Sequence, residues 1–330
     1  MKFVARFAPV LTLTLALLAA PRGAAGNEGP VALESPPTFL FQYYLGRVSQ
    51  MAQRPGGPIY APSYEQNRVV ILSEQGAYLG SFGSTGSGPG QFNTPSGITI
   101  DSEGNFYVCD QYNHRVQKFS PSFLPLLVMG AGLGSAPGQL QYPTNCALSP
   151  DESKLYVTEL INNRISVFDR NGVFQGIIGS SGSGPGQFNY PYGIDVEPTT
   201  GDLFVANELN HRIDRLTADG TFLYSIGQLG SGINDFNLVV GLDLDADGNL
   251  WATDQLNNRV KKVSQSGTTL AVWGFFGPGP GQFYNPWSIF VTQDKNIWVG
   301  DTYNYRIQAF GYLPVPADQT SWGAVKARYR

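Results

Sequence analysis

The chain is poor in the residues that carry most enzyme and metal chemistry. Its 330 residues include 2 cysteines, 2 histidines and 3 methionines, and only 14% are charged. Two cysteines cannot build a zinc finger or a disulfide-dense scaffold. Two histidines alone fall short of the three protein ligands that converge on a catalytic zinc. The net charge of -4 comes without any long basic run. That argues against nucleic acid as a partner, because phosphate contacts need clustered Lys and Arg. There is no Gly-x-Ser-x-Gly elbow and no Gly-Lys-Ser/Thr phosphate loop, so two familiar signatures of acyl and phosphoryl transfer are missing. Beyond the N-terminal segment no run of 18 apolar residues occurs, and no transmembrane helix is expected.

Residues 1–26 read as a secretory signal. Lys2 and Arg6 begin it, Phe7 to Ala20 forms an apolar stretch, and Gly23, Ala24, Ala25 and Gly26 offer a cleavage site. No cysteine lies nearby, so no lipid anchor is expected, and the mature protein is predicted to be secreted, periplasmic or extracellular. In that oxidising setting Cys109 and Cys146 leave two readings open: a disulfide, or two small buried thiols in strands, the second being preferred.

What the chain has in abundance is 40 Gly, 23 Pro and 13% aromatic residues, the composition of an all-β protein with many tight turns. It also repeats. Asn67-Arg68-Val69, His114-Arg115-Val116, Asn163-Arg164-Ile165, His211-Arg212-Ile213, Asn258-Arg259-Val260 and Tyr305-Arg306-Ile307 recur at steps of 47, 49, 48, 47 and 47 residues. A step this regular marks a ring or stack of one supersecondary unit. Within a unit, Gly-Pro-Gly-Gln-Phe and Pro95-Ser96-Gly97 lead into the strand Ile98–Ile100, and Asp101-Ser-Glu-Gly-Asn105 turns the chain into Phe106–Cys109. A third strand begins at Arg115, and a fourth resembles Tyr78–Phe82. Four short antiparallel strands per unit pack radially as propeller blades.

Together the Gly-Gln-Phe, Pro-x-Gly-Ile, Gly-Asn-Leu/Phe-Tyr-Val-x-Asp and Asn-His-Arg-Val/Ile motifs resemble those of NHL-repeat β-propellers. The resemblance runs from about residue 38 to 311 and implies an all-β, six-bladed β-propeller of four-stranded antiparallel blades. The predicted organisation is signal peptide 1–26, lead-in 27–37, propeller 38–312, and a Pro-containing linker with a short basic tail, 313–330. In blade one, Phe41 and Gly46 are matched to Phe92 and Gly97, with Tyr44 for the Pro and Pro62-Ser63 for Cys109-Asp110. Blade five departs at Asp235-Phe236 and Val239. The outer strand of the last blade could come from near Val31 or from beyond Gly311.

Residues recurring in every copy are read as scaffold. Asp110, Glu159, Asp254 and Asp301 lie five before the repeat Arg, where Ser63 and Asn207 stand in the other blades, and are expected to tie the following loop or pair with the Arg. His114 and His211 occupy a position held elsewhere by Asn. Asp243-x-Asp245-x-Asp247-Gly248 imitates a calcium loop, yet aligns with a β-hairpin. Amidating lyases of NHL type hold catalytic zinc with several histidines, and some calcium-dependent propellers resembling lactonases use carboxylates. Calcium or zinc therefore stays open here, with Asp195, Asp243 and Asp245, near Glu197, as the ligands such an enzyme would use; no cofactor is the preferred expectation.

Matched positions that differ point to a specific role. In the loop between second and third strands stand Glu65, Tyr112, Ile161, Leu209, Leu256 and Tyr303; between Pro and Gly stand Ser96, Thr144, Tyr192, Val240 and Trp287. Both places share one propeller face. Tyr112, Tyr192, Trp287, Tyr303 and Tyr305, with Ile161, Leu209 and Leu256, would form an aromatic-rich platform suited to a glycan or peptide. In the tail, Trp322, Val325 and Tyr329 would share one face of a short helix capped by Ser321, acting as a clasp or a surface-association element. The expectation is a non-catalytic binding scaffold for a protein, peptide or envelope glycan; the alternative is a metal-assisted lyase or lactonase at the channel mouth.

Overall fold

A computed structural model describes residues 33–311; the signal segment and the C-terminal tail lie outside the described residues. Six four-stranded antiparallel sheets follow one another as blades. Blade two shows the pattern: innermost strand Pro95–Ile100, then Phe106–Asp110, Arg115–Phe119 and outermost Pro125–Met129. The innermost strands of blades three to six are Pro143–Leu148, Pro191–Val196, Val239–Leu244 and Pro286–Val291.

The ring is closed by an early strand. Thr38–Tyr44 pairs antiparallel with Arg306–Gly311 and supplies the outer strand of blade six. This corrects the expected register of blade one. Phe41 belongs to blade six, where it packs edge-on against Trp298 at 5.2 Å. Val48 bridges Ser63, and Ala52–Gln53 pairs with Ile59–Tyr60, so Gln50 rather than Gly46 is the counterpart of Gly97. Blade one lacks the Pro and Gly landmarks at this strand, and only the pairing fixes its offset.

The core lies between blades rather than at the centre. Alternate residues of each strand face opposite neighbours, and six apolar clusters each straddle two adjacent blades. The last of them joins blade six to blade one through Trp298, Ile307, Val48 and Ile59. The Phe of Gly-Gln-Phe is a fixed member: Phe92, Phe188, Phe236 and Phe283 are fully buried. Its Gln closes the preceding turn, as when Gln91 Oε1 accepts from the Gly88 amide at 3.0 Å. Asp235 serves blade five in the same way, accepting from the Gly232 amide.

Near the axis the inner strands of blades two, four and five run too close to the next blade for a side chain. A Cβ on Gly97 would lie 2.5 Å from Asn145 Cα, and one on Gly193 or Gly241 2.6 Å from a carbonyl of the next blade. That contact explains the Gly of Pro-x-Gly. Cys109 and Cys146 are both buried and free, packed in the cluster between blades two and three.

Candidate functional site

The repeat Arg anchors the loops of one face. In blade six, Asp301 Oδ2 accepts from Arg306 Nε at 2.7 Å and from the side chains of Asn304 and Gln308, while its Oδ1 accepts from the Tyr284 amide. Asp110, Glu159 and Asp254 do the same work in their blades. Blade four moves the charge: Asn207 keeps the amide contact with Asn189, and Arg212 pairs instead with Asp214 at 2.8 Å. Blade one, with Ser63, leaves Arg68 exposed and, among the described residues, bonded only to the Gln66 carbonyl.

The residue before each Arg adopts a left-handed backbone, at φ values from 50° to 55°, which Asn tolerates best among residues with a side chain. It also latches the next blade. Asn67, Asn163 and Asn258 accept the amides of Thr94, Tyr190 and Asn285 through Oδ1. His114 and His211 accept those of Tyr142 and Leu238 through Nδ1. Burial lowers both histidines, consistent with neutral rings serving as acceptors. The calcium-like stretch is likewise divided: Asp243 lies on an inner strand, and Asp245 accepts from the Asp247 and Asn249 amides and from Trp251 Nε1 within its hairpin.

Two cavities open along the axis. On the hairpin side, a cavity of about 180 Å³ is lined by Gln50, Thr99, Asp195, Asp243 and Phe290, among others. Asp195 takes the amides of Val196 and of Leu244 in the next blade; Asp243 takes that of Val291 in the blade after. Burial pushes Asp195 up to about 6, and burial followed by the charge of Asp195 pushes Asp243 up. Glu197 is occupied in its own turn with the amides of Thr199 and Thr200. The structure thus brings Asp195 and Asp243 together without Asp245 or Glu197. Among the described residues no three His, Cys, Asp or Glu side chains are placed to hold a metal.

On the loop side, a cavity of about 340 Å³ is lined by Arg47, Tyr64, Tyr112, Glu208, Tyr192 and Trp287, among others. Tyr192 is buried, contrary to a place on an exposed platform. Its hydroxyl bonds to that of Tyr64 and approaches Ser49 at 3.4 Å, and burial pushes it up to about 12. Trp287 is half-buried and packs edge-on to Tyr64 at 5.7 Å. Tyr112 is exposed at the rim, edge-on to Tyr142. Arg47 pairs with Glu65, which gives that odd member of its loop position a partner.

Tyr303 and Tyr305 stand apart from this mouth. Tyr303 packs on Tyr284, and Tyr284 on Phe276, each with ring centres 5.1 Å apart. Phe275, Phe276, Tyr284, Tyr303 and Tyr305 are all exposed. The expected single platform is therefore two groups, a recessed mouth and an aromatic rim on blade six. Ile161, Leu209 and Leu256 are exposed singly on other blades. Sequence reasoning missed Phe275, Phe276, Tyr284, Tyr64, Arg47 and Glu208. The repeat alignment held the signal: Tyr284 replaces Asn93, Gln141, Asn189 and Asn237, and Phe275 replaces Ser84, Gly132, Ser180 and Gln228.

The NHL repeat family matches residues 92–119 and 283–310, and a six-bladed β-propeller family matches residues 147–213. The peptidylglycine alpha-amidating monooxygenase of Rattus norvegicus is 31% identical over 127 residues, 37% of this chain and 12% of its own length. The peptidyl-alpha-hydroxyglycine alpha-amidating lyase 2 of Drosophila melanogaster is 29% identical over 180 residues, 46% of this chain and 43% of its own. The chain thus spans less than half the length of either. A solved streptogramin B lyase superposes with a TM-score of 0.56 at 14% identity, over 82% of this chain and 96% of that one, a likeness of fold alone. The chain is a six-bladed β-propeller that carries NHL repeats.

Proposed function

We propose that this propeller is an exported binding scaffold whose loop face takes a glycan or peptide ligand. One observation carries the reading. Blade six places exposed aromatic rings at five matched positions, three of which, those of Phe275, Tyr284 and Tyr305, are polar or small in the other blades. Exposed rings add nothing to the interblade core, whereas they offer stacking surface to sugar rings and to peptide side chains. Tyr305 illustrates the change. It keeps the left-handed backbone of its position but latches the closing segment through its carbonyl, which accepts from the Leu45 and Gly46 amides, and this frees its ring for the surface. Export rests on the N-terminal segment, and surface association through the tail is part of the same proposal.

Glycan and peptide arrays probed with the wild-type protein and with a Phe276→Ala/Tyr303→Ala variant test the reading. Retention by the wild type that falls at least about tenfold in the variant, with unchanged melting temperature, supports it; each well-packed aromatic contact is worth roughly one such factor. Equal retention by both proteins would remove blade six from the site. The alternative of metal-assisted lyase or lactonase chemistry has the Asp195–Asp243 pair in its favour. It lacks a third ligand among the described residues, and no catalytic step is derived from it.

A further inference from the structure

The loop-side mouth of the channel has an unusual charge balance. Four residues before each repeat Arg stand Tyr64, Gln111, Leu160, Glu208, Gln255 and Thr302, and the first four of them line that mouth. Only Glu208 is charged. Its carboxylate has no hydrogen-bonding or ion-pair partner among the described residues, although its backbone amide bonds to the Tyr190 carbonyl. Among the described residues the one cation lining the same cavity is Arg47, and Arg47 is already paired with Glu65. Once ionised, Glu208 therefore gives the mouth one uncompensated negative charge, set among the rings of Tyr64, Tyr112, Tyr190, Tyr192 and Trp287.

A carboxylate in a ring-lined recess, with no cation of its own, suits a ligand that brings one. Aromatic faces attract cations through their quadrupole, and a partly desolvated carboxylate forms its strongest hydrogen bonds with a charged donor. The cavity of about 340 Å³ has room for an ammonium head and a short stem, and lies at the small end of the range for ligand sites. We propose that this mouth binds an alkylammonium group, with Glu208 accepting from the ammonium and Tyr64, Tyr192 and Trp287 flanking it. The proposal rests on the loop-face reading and names the chemistry of its deepest subsite. A free peptide N-terminus and a lysine side chain both supply that group.

The neighbouring titratable groups leave Glu208 in control of the pH response. Burial pushes the phenols of Tyr64 and Tyr192 up, so they stay neutral across the working range, and Arg47 is raised by its bond to Glu65. Burial also pushes Glu208 up to about 7. An alkylammonium or lysine ligand, charged throughout this range, should bind more tightly as pH rises and Glu208 ionises.

Isothermal titration with phenethylammonium tests this, with N-acetylphenethylamine as the uncharged control. The wild type should bind the amine and not the amide, with affinity rising about tenfold between pH 6 and pH 8.5. Glu208→Gln should weaken binding at least about tenfold, the scale of one charge-assisted hydrogen bond. Tyr78→Ala, at an exposed position on the outermost strand of blade one, should leave amine binding unchanged. A lysine-free peptide with a free N-terminus, set against an N-acetylated peptide containing lysine, then separates the two sources. No amine binding by the wild type, or equal binding by Glu208→Gln, overturns the proposal. If Glu208→Gln does not fold, an affinity for the wild type that is flat from pH 6 to 8.5 overturns it equally. Array retention lost in the blade-six variant would leave the broader loop-face reading standing in either case.

Discussion

Arg306→Ala should be the most damaging single change at the repeat arginine, and Arg68→Ala at the same position of blade one should be nearly silent. The Arg306 side chain is 2% exposed and its partner Asp301 is fully buried. Beyond the ion pair, Arg306 donates to the carbonyls of Gly279 and Gln282 and to Gln42 Oε1 on the closing strand. Removing it strands a buried carboxylate, a loss of about 3–5 kcal/mol when one member of such a pair is deleted. Asp301 would keep three donors, from Tyr284, Asn304 and Gln308, which places the expected loss at about 3 kcal/mol, toward the lower end. Arg68 is exposed and its blade has Ser63 in place of the acid, so its removal should stay within about 0.5 kcal/mol. Urea unfolding followed by tryptophan fluorescence reads both, because Trp298 is fully buried in the cluster that closes the ring. A loss below about 1 kcal/mol for Arg306→Ala, or equal losses for the two variants, would refute the assignment of the repeat arginine to buried loop anchoring.

Gly241→Ala sets a Cβ 2.6 Å from the Trp287 carbonyl and 2.9 Å from Ile289 N. Inner strands must then move apart, and thermal melting should show a loss of at least about 1–3 kcal/mol, the usual effect of overpacking; a neutral variant would mean that the axis is looser than described. The Asp195–Asp243 pair makes stability pH-dependent in a defined direction. Folding raises Asp195 from the ordinary carboxylate range to about 6, so the folded state holds more protons between about pH 4 and 6 and loses stability as pH rises through that window. Asp243→Asn should flatten that slope in urea titrations; an unchanged slope would show that the two carboxyls do not sense each other.

Much of the fold was legible because the repeat aligned the chain with itself. Recurrence of Asp110, Glu159, Asp254 and Asp301 marked them as anchors before any geometry was known, and recurrence also accounted for His114, His211 and the calcium-like run at Asp243. Blade one was misregistered because Val48 and Gln50 stand where other blades carry Pro and Gly, and strand pairing across the ring is a long-range property that local motifs do not encode. The origin of the outer strand of blade six was open for the same reason. The candidate site was legible in part. Matched-position differences found Tyr303, Tyr305 and Trp287, but comparing two loop positions out of many left Glu208, Tyr284 and Phe276 unread. Burial of Tyr192 depends on Tyr64, 128 residues away in sequence, and no single repeat contains that information.

The central claim is that a ligand sits on the loop face, and backbone hydrogen exchange of the protein with and without an array-selected glycan or peptide tests it most directly. Protection is expected in residues 275–287 and 302–305, with residues 206–211 joining if the ligand carries an amine. Protection confined to the opposite face, at the hairpins 101–105 and 245–249, would contradict it.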